Sequence, residues 1–191
     1  MGLYIGMYGN KMLDLYNLKP DDIDIFDIGW ALSHNLRFNG HSRIPYSVAQ
    51  HSLALSYVVP RRLALVALLH DASEAYIGDI VAPVKQAFPD LCALEDRIHA
   101  VVFEHFVLDI GLMKEVKPYD WEMCCTEARQ IMGNPLWAAE QPFGHWTIEN
   151  EESFHSVRNR FYARYTHLTG IPVKFPNDDR GHAIYRYRSA I

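Results

Sequence analysis

A chain of 191 residues, 49% hydrophobic and 21% charged, is long enough to bury one core and too apolar to be disordered. Its formal net charge of −5, from 18 basic and 23 acidic residues, argues against a general binder of polymeric nucleic acid, yet leaves room for a small phosphorylated ligand in a local basic pocket. The cysteines Cys92, Cys124 and Cys125 form no CxxC pair and imply neither a disulfide framework nor a zinc ribbon; no apolar run approaches the ~18 residues of a membrane span, so buried thiols in a cytoplasmic protein are expected.

Residues 1–22 read as an irregular lead-in that closes on a helix-start signal, Lys19-Pro20-Asp21-Asp22. Ile25, Ile28, Trp30 and Leu32 space a short amphipathic helix over about 23–34, and Arg37 to Pro45 is a loop punctuated by Gly and Pro. Ser47 is placed to cap a helix over about 48–58, which carries His51. Pro60 opens the next helix, about 61–77, apolar from Leu63 to Leu69 and so buried on most sides; the short joint makes the two helices antiparallel neighbours. Gly78-Asp79 ends that segment, and Pro83 marks another start. A long helix over about 90–109 follows, and Pro118 starts a further one over about 119–132. Residues 134–146 form a loop, and a last helix over about 148–169 stops at Gly170. The tail 171–191 carries Lys174, Arg180, Arg186 and Arg188, a solvated basic tail by default. The expected class is all-α: one domain over 1–191, six to seven helices packed around the 61–77 segment, with 1–22 and 171–191 peripheral.

The chemistry concentrates in Leu68-Leu69-His70-Asp71-Ala72-Ser73-Glu74. On a continuous helix His70 and Glu74 share a face one turn apart, and Asp71 is turned about 100° from His70. Carboxylates placed directly after a buried apolar run need a partner, and a cation is a natural one. A catalytic divalent site needs three or four protein ligands, so the chain must offer more than His70 and Asp71. His51, on the preceding helix, is one candidate. Asp120, in Tyr119-Asp120-Trp121, is another, although an aspartate at a helix start also reads as a cap or dipole partner.

His51, His70-Asp71 and Asp120, with the block Leu69-His-Asp-Ala-Ser-Glu74 followed by Gly78-Asp79 and Pro83-Val84-Lys85, resemble the H…HD…D pattern of the HD-domain metal-dependent phosphohydrolases. The likeness is closer still to the bacterial 5'-deoxynucleotidases and the phage deoxynucleotide triphosphohydrolases, and it covers about residues 25–132. It implies a helical HD-domain bundle in which His51, His70, Asp71 and Asp120 hold one divalent ion (Co, Mn, Zn or Mg, with Fe and Ni also compatible). Glu74 is then the general base or acid for water attack at the 5' phosphorus. The resemblance further places Arg37 on phosphate oxygens and Phe38 at the sugar or base, where the family usually has Trp. It puts Asp79 at the 3'-hydroxyl and Lys85 near the phosphates. Each has a plainer reading: Phe38 as a core aromatic, Asp79 as a turn residue, Lys85 as a solvated cation. His41 and Arg43 offer further phosphate contacts from the same loop.

The activity expected from the resemblance is a dATP-type triphosphohydrolase that releases deoxynucleoside and triphosphate, because the short chain and the tight Val59-Pro60 joint look like the phage members. The alternatives are a 5'-deoxynucleotidase acting on dNMPs and a non-catalytic nucleotide-binding protein on the same scaffold. The expected partners are a deoxynucleotide substrate and further copies of the chain in a homo-oligomer, with neither polymeric nucleic acid nor membrane. The expected location is the cytoplasm of a bacterium, or of the host cell for a phage-encoded chain.

Overall fold

The computed structural model describes residues 2–8, 11–133, 135–138, 146–148 and 150–176. Arg180, Arg186 and Arg188 of the tail and most of the 134–146 loop lie outside the described residues.

The lead-in is a β-hairpin rather than irregular chain. Strands β1 (Tyr4–Met7) and β2 (Lys11–Asp14) pair antiparallel with Ile5 opposite Leu13. Leu13 is buried and Ile5 and Met7 are half-buried on one face, while Tyr4 and Met12 are exposed on the other, the two-residue alternation of a half-buried ribbon. In the sequence, the Gly9-Asn10 dipeptide is a hairpin signal.

Helix α1 (Ile25–His34) is capped by Asp24, which accepts from the Phe26 N–H at 2.8 Å. Helix α2 (Val48–Val58) opens on a capping box in which Ser47 and Gln50 each accept from the other's backbone N–H. The expected helix over 61–77 is divided. A 3-10 turn at Arg61–Leu63 leads into α3 (Ala64–Leu69), tight turns follow, and α4 (Glu74–Ile77) ends at Gly78, whose φ of +82° favours glycine. Beyond α5 (Ala82–Gln86), α6 spans Pro89–His105. Helix α7 (Met113–Ile131) begins five residues ahead of Pro118, so this proline sits inside the helix rather than at its start. A 3-10 turn at Ile110–Leu112 nucleates α7, and exposed Pro118 costs it one backbone bond without ending it. The last helix, α8 (Phe154–Thr169), starts later than expected because Ser153 caps it, and Gly170 closes it in the left-handed conformation.

Helices α2 and α3 form the centre, against which α1, α7 and α8 pack. Leu53, Leu55, Leu63, Leu68 and Leu69 are fully buried there with Phe26, Met123 and Phe161, and each such side chain contributes about 1.5–3 kcal/mol of apolar transfer. Gly29 lets α1 and α8 approach closely: a Cβ at this position would collide with the Tyr162 ring, and the Tyr162 hydroxyl donates to the Phe26 carbonyl at 2.7 Å. The outcome is the all-α architecture expected, with a small hairpin added. No helix among the described residues is long and apolar enough to cross a membrane.

Candidate metal centre

Three elements converge at the end of α3. His51 comes from the middle of α2, His70 and Asp71 from the turn after Leu69, and Asp120 from the second turn of α7. His51 Nε2 lies 3.3 Å from His70 Nε2 and 3.0 Å from Asp120 Oδ1. His70 Nε2 lies 3.6 Å from Asp120 Oδ1 and 3.1 Å from Asp71 Oδ2, which is 3.8 Å from His51 Nε2. One ligand atom each from His51, His70 and Asp120 falls within 4.8 Å of the other two. Asp71 borders this group and also faces Arg37, whose Nη1 is 3.6 Å from Asp71 Oδ2.

The outer nitrogens of both imidazoles are committed. His70 Nδ1 is 2.8 Å from the Ala67 carbonyl and His51 Nδ1 is 2.9 Å from Glu127 Oε1, and since neither oxygen can donate, each Nδ1 carries the hydrogen. The lone pairs of both Nε2 atoms therefore point at each other and at two carboxylates. Four acceptors meeting with no donor among them fit a cation, and these residue types suit a divalent metal. The electrostatics agree. Burial opposes protonation of His51 and His70, but the surrounding carboxylates outweigh it and raise both pKa values. Asp71 is lowered to about 2 and Asp120 well below the usual range, in both cases against burial and through the neighbouring imidazoles. A site that stabilises protons between these groups stabilises a metal in their place, and metal uptake then releases those protons.

Glu127, absent from the sequence reading, is the hub behind the centre. It lies seven residues after Asp120 on the same helix, hence near the same face, and is fully buried. Its Oε1 also accepts from the Tyr46 hydroxyl at 3.0 Å, and its Oε2 forms an ion pair with Arg37 Nε at 3.1 Å, off line for a hydrogen bond. The seven-residue spacing from Asp120 is the one trace of this role in the sequence, and it does not by itself single Glu127 out.

The remaining candidates divide. Glu74 is buried and its Oε2 has no hydrogen-bond partner; burial first, then the charges of Asp71 and Asp79, push its pKa well above the usual carboxylate range. The expectation that Glu74 shares one helical face with His70 is corrected. Bonds from Ala72 to Leu69, Glu74 to Asp71 and Ala75 to Ala72 each span three residues. At three residues per turn, a position four further on is rotated by roughly 120° rather than the ~40° of an α-helix. Asp and Ser, with their weak helix preference, occupy this turn. Asp79 is half-buried, its pKa raised mainly by burial, with Arg37, Asp71, Lys85 and His51 also acting on it.

Arg37 is buried in the wall of the centre, paired with Glu127 and Asp71. Lys85 Nζ holds Glu95 Oε1 of α6 at 2.7 Å. Phe38, with φ of +56°, packs on a small satellite core of Cys125, Ala128 and Ala138. Arg43 is tied to the end of α7 through the Ile131 carbonyl, 2.7 Å from its backbone nitrogen, and through the Gln130 carbonyl; His41 is exposed. Asp120 is not a helix-start residue, so its cap reading falls.

No family model matches the chain. It is 41% identical over 128 residues to the uncharacterized protein YfdR of Escherichia coli K12, covering 67% of this chain and 72% of that protein. It is 36% identical over 152 residues to the uncharacterized protein RCAP_rcc00048 of Rhodobacter capsulatus, covering 72% of this chain and 78% of that protein. A more distant, partial relative is the 5'-deoxynucleotidase VP0926 of Vibrio parahaemolyticus, 32% identical over 82 residues, which is 35% of this chain and 42% of that protein.

Proposed function

The chain belongs to the protein family of Escherichia coli YfdR, and from that premise and the geometry of the centre we propose that it is a metal-dependent phosphohydrolase of deoxynucleotides, of the HD-domain type. The observation that carries the reading is the meeting of His51, His70 and Asp120, with Asp71 beside them: the Nε2 atoms of both imidazoles and the two carboxylates face one another in one small group. A divalent ion held there supplies positive charge to a phosphoryl group and acidifies water at neutral pH.

The chain's own residues do the rest. Glu127 and the Ala67 carbonyl fix the two imidazole tautomers, so the ligand nitrogens are oriented before any ion arrives. Burial, with Asp71 and Asp79 beside it, raises the Glu74 pKa above the usual carboxylate range, and a carboxyl shifted in that direction is suited to exchange protons with the attacking water and the leaving 5' oxygen. Arg37 turns its guanidinium toward Asp71, where a phosphate oxygen can share it. Asp79 takes the sugar hydroxyl.

Of the two phosphate-chain lengths, the monophosphate is favoured over the triphosphate expected from the resemblance. Arg37 and Lys85, the cations that act on Glu74 and Asp79, are already engaged, Arg37 with Glu127 and Asp71 and Lys85 with Glu95, whereas β- and γ-phosphates call for further positive charge. The partial relation to a 5'-deoxynucleotidase points the same way.

Two variants test the reading. His70→Ala is expected to lose bound metal and hydrolysis together, measured by metal analysis and phosphate release. Glu74→Gln is expected to keep the metal and lose roughly 10²–10⁴-fold in rate. Loss of metal from Glu74→Gln would make Glu74 a ligand and overturn its assignment.

A further inference from the structure

Phe38, Trp137 and Trp121 form a row of neighbouring aromatic rings. The Trp137 ring centroid lies 6.5 Å from that of Phe38 and 6.2 Å from that of Trp121, with planes inclined 42° and 40°. Neither pair is stacked or T-shaped, so the ring faces are not used up on one another. Each end of the row is next in sequence to a residue of the centre or its wall. Phe38 follows Arg37, whose guanidinium carbon lies 5.4 Å from the Phe38 ring centroid, and Trp121 follows Asp120. The satellite core of Cys125, Ala128 and Ala138 supports the Phe38 end.

Trp121 and Trp137 are 51% and 48% exposed. Trp is on average a highly buried residue, and two half-exposed indoles side by side form an apolar surface suited to a partner ring. The row itself carries no charge, while the centre its ends adjoin in sequence gathers a cation site and Arg37. The occupant that matches both is a neutral planar heterocycle joined to a phosphate.

Resting on the nucleotide reading of the centre, we propose that Trp121 and Trp137 are the base subsite of this protein, on which the nucleobase stacks while its phosphate lies at the metal centre. Stacking reads ring area rather than hydrogen-bond pattern, so the subsite ranks purines above pyrimidines and separates adenine from guanine little.

The test compares steady-state hydrolysis of dAMP, dGMP, dCMP and base-free 2-deoxyribose 5-phosphate by the metal-loaded protein, with Trp121→Ala and Trp137→Ala alongside. The expected KM for dAMP is lower than that for 2-deoxyribose 5-phosphate by roughly 5- to 150-fold, with dGMP close to dAMP and dCMP between. Each Trp variant narrows that gap, and dAMP, but not 2-deoxyribose 5-phosphate, quenches the tryptophan fluorescence of the unsubstituted protein. Equal KM values with and without the base overturn the proposal even if both compounds are hydrolysed. So does a variant that leaves the gap intact but converts an oligomer to a monomer in sedimentation, which makes the row an interface between copies. Hydrolysis of none of the four compounds overturns the nucleotide reading together with this one.

Discussion

Glu127 meets His51, Tyr46 and Arg37 with one buried carboxylate, and the tautomer of a metal-facing imidazole depends on it. Glu127→Gln keeps the shape and an acceptor oxygen but removes the charge that makes His51 more basic and balances Arg37. The expected result is a roughly 10–100-fold loss of Mn or Co affinity in calorimetric titration, with the helical spectrum retained. His70 and Asp71 stood out in the sequence as adjacent ligand-type residues after an apolar run, and the family resemblance joined His51 and Asp120 to them as candidate ligands. Glu127 did not stand out, since its partners His51 and Tyr46 lie 76 and 81 residues away. A second buried acid makes a pH prediction. Burial first, then the nearby Asp24, raises Asp27 from 3.8 to about 6, against the pull of Lys11. Because the folded-state value is the higher one, the protonated carboxyl favours the native state in full below about pH 4. That contribution is lost as the pH rises through about 6, where the buried group must ionise. Asp27→Asn should therefore raise Tm at about pH 8 and leave it little changed at about pH 4.

At the scale of elements, the start of α2 was legible from its side-chain cap, whereas the Ser153 cap that starts α8 was not used. Ser47 and its partner Gln50 define the start of α2, and Gly170 defines the end of α8. What escaped depends on backbone behaviour that composition does not display. Pro118 looked like a first residue because proline is favoured there, yet the preceding 3-10 turn had already begun α7. The break between Leu69 and Glu74 falls in His70-Asp71-Ala72-Ser73, directly after the apolar run that pointed to one continuous helix, and it separates Glu74 from the row of His70. The end of α6 holds a further departure. The Leu108 N–H bonds back to the Phe103 carbonyl at 2.8 Å, the pattern of a left-handed helix stop, and Val107 fills the place that glycine usually takes, with φ of +54° and 91% exposure. A β-branched residue there is strained, and at such exposure its side chain contributes almost no packing. Val107→Gly should stabilise the protein by about 1 kcal/mol in thermal or urea unfolding, an unchanged or lowered Tm being the contrary result.

Across the whole molecule, the packing of α2 and α3 against α7 is what turns three separated stretches of sequence into one centre. Hydrophobic side chains from all three lie in one core cluster, so the apolar packing that holds the bundle together also sets the positions of the candidate ligands. The all-α class followed from the helical spacing of apolar residues, whereas the candidate ligand set came from the family resemblance joined to His70-Asp71. The number of phosphates accepted depends on which cations are already paired, and that is a property of the packed molecule. The most direct measurement incubates the metal-loaded protein with dAMP and, separately, with dATP, and resolves the products by chromatography. Release of deoxyadenosine and orthophosphate from dAMP, abolished by chelation and restored by Mn or Co, is the predicted result. Release of tripolyphosphate from dATP with dAMP untouched would contradict the monophosphate assignment. Hydrolysis of neither compound by protein shown to carry its metal would contradict the account as a whole.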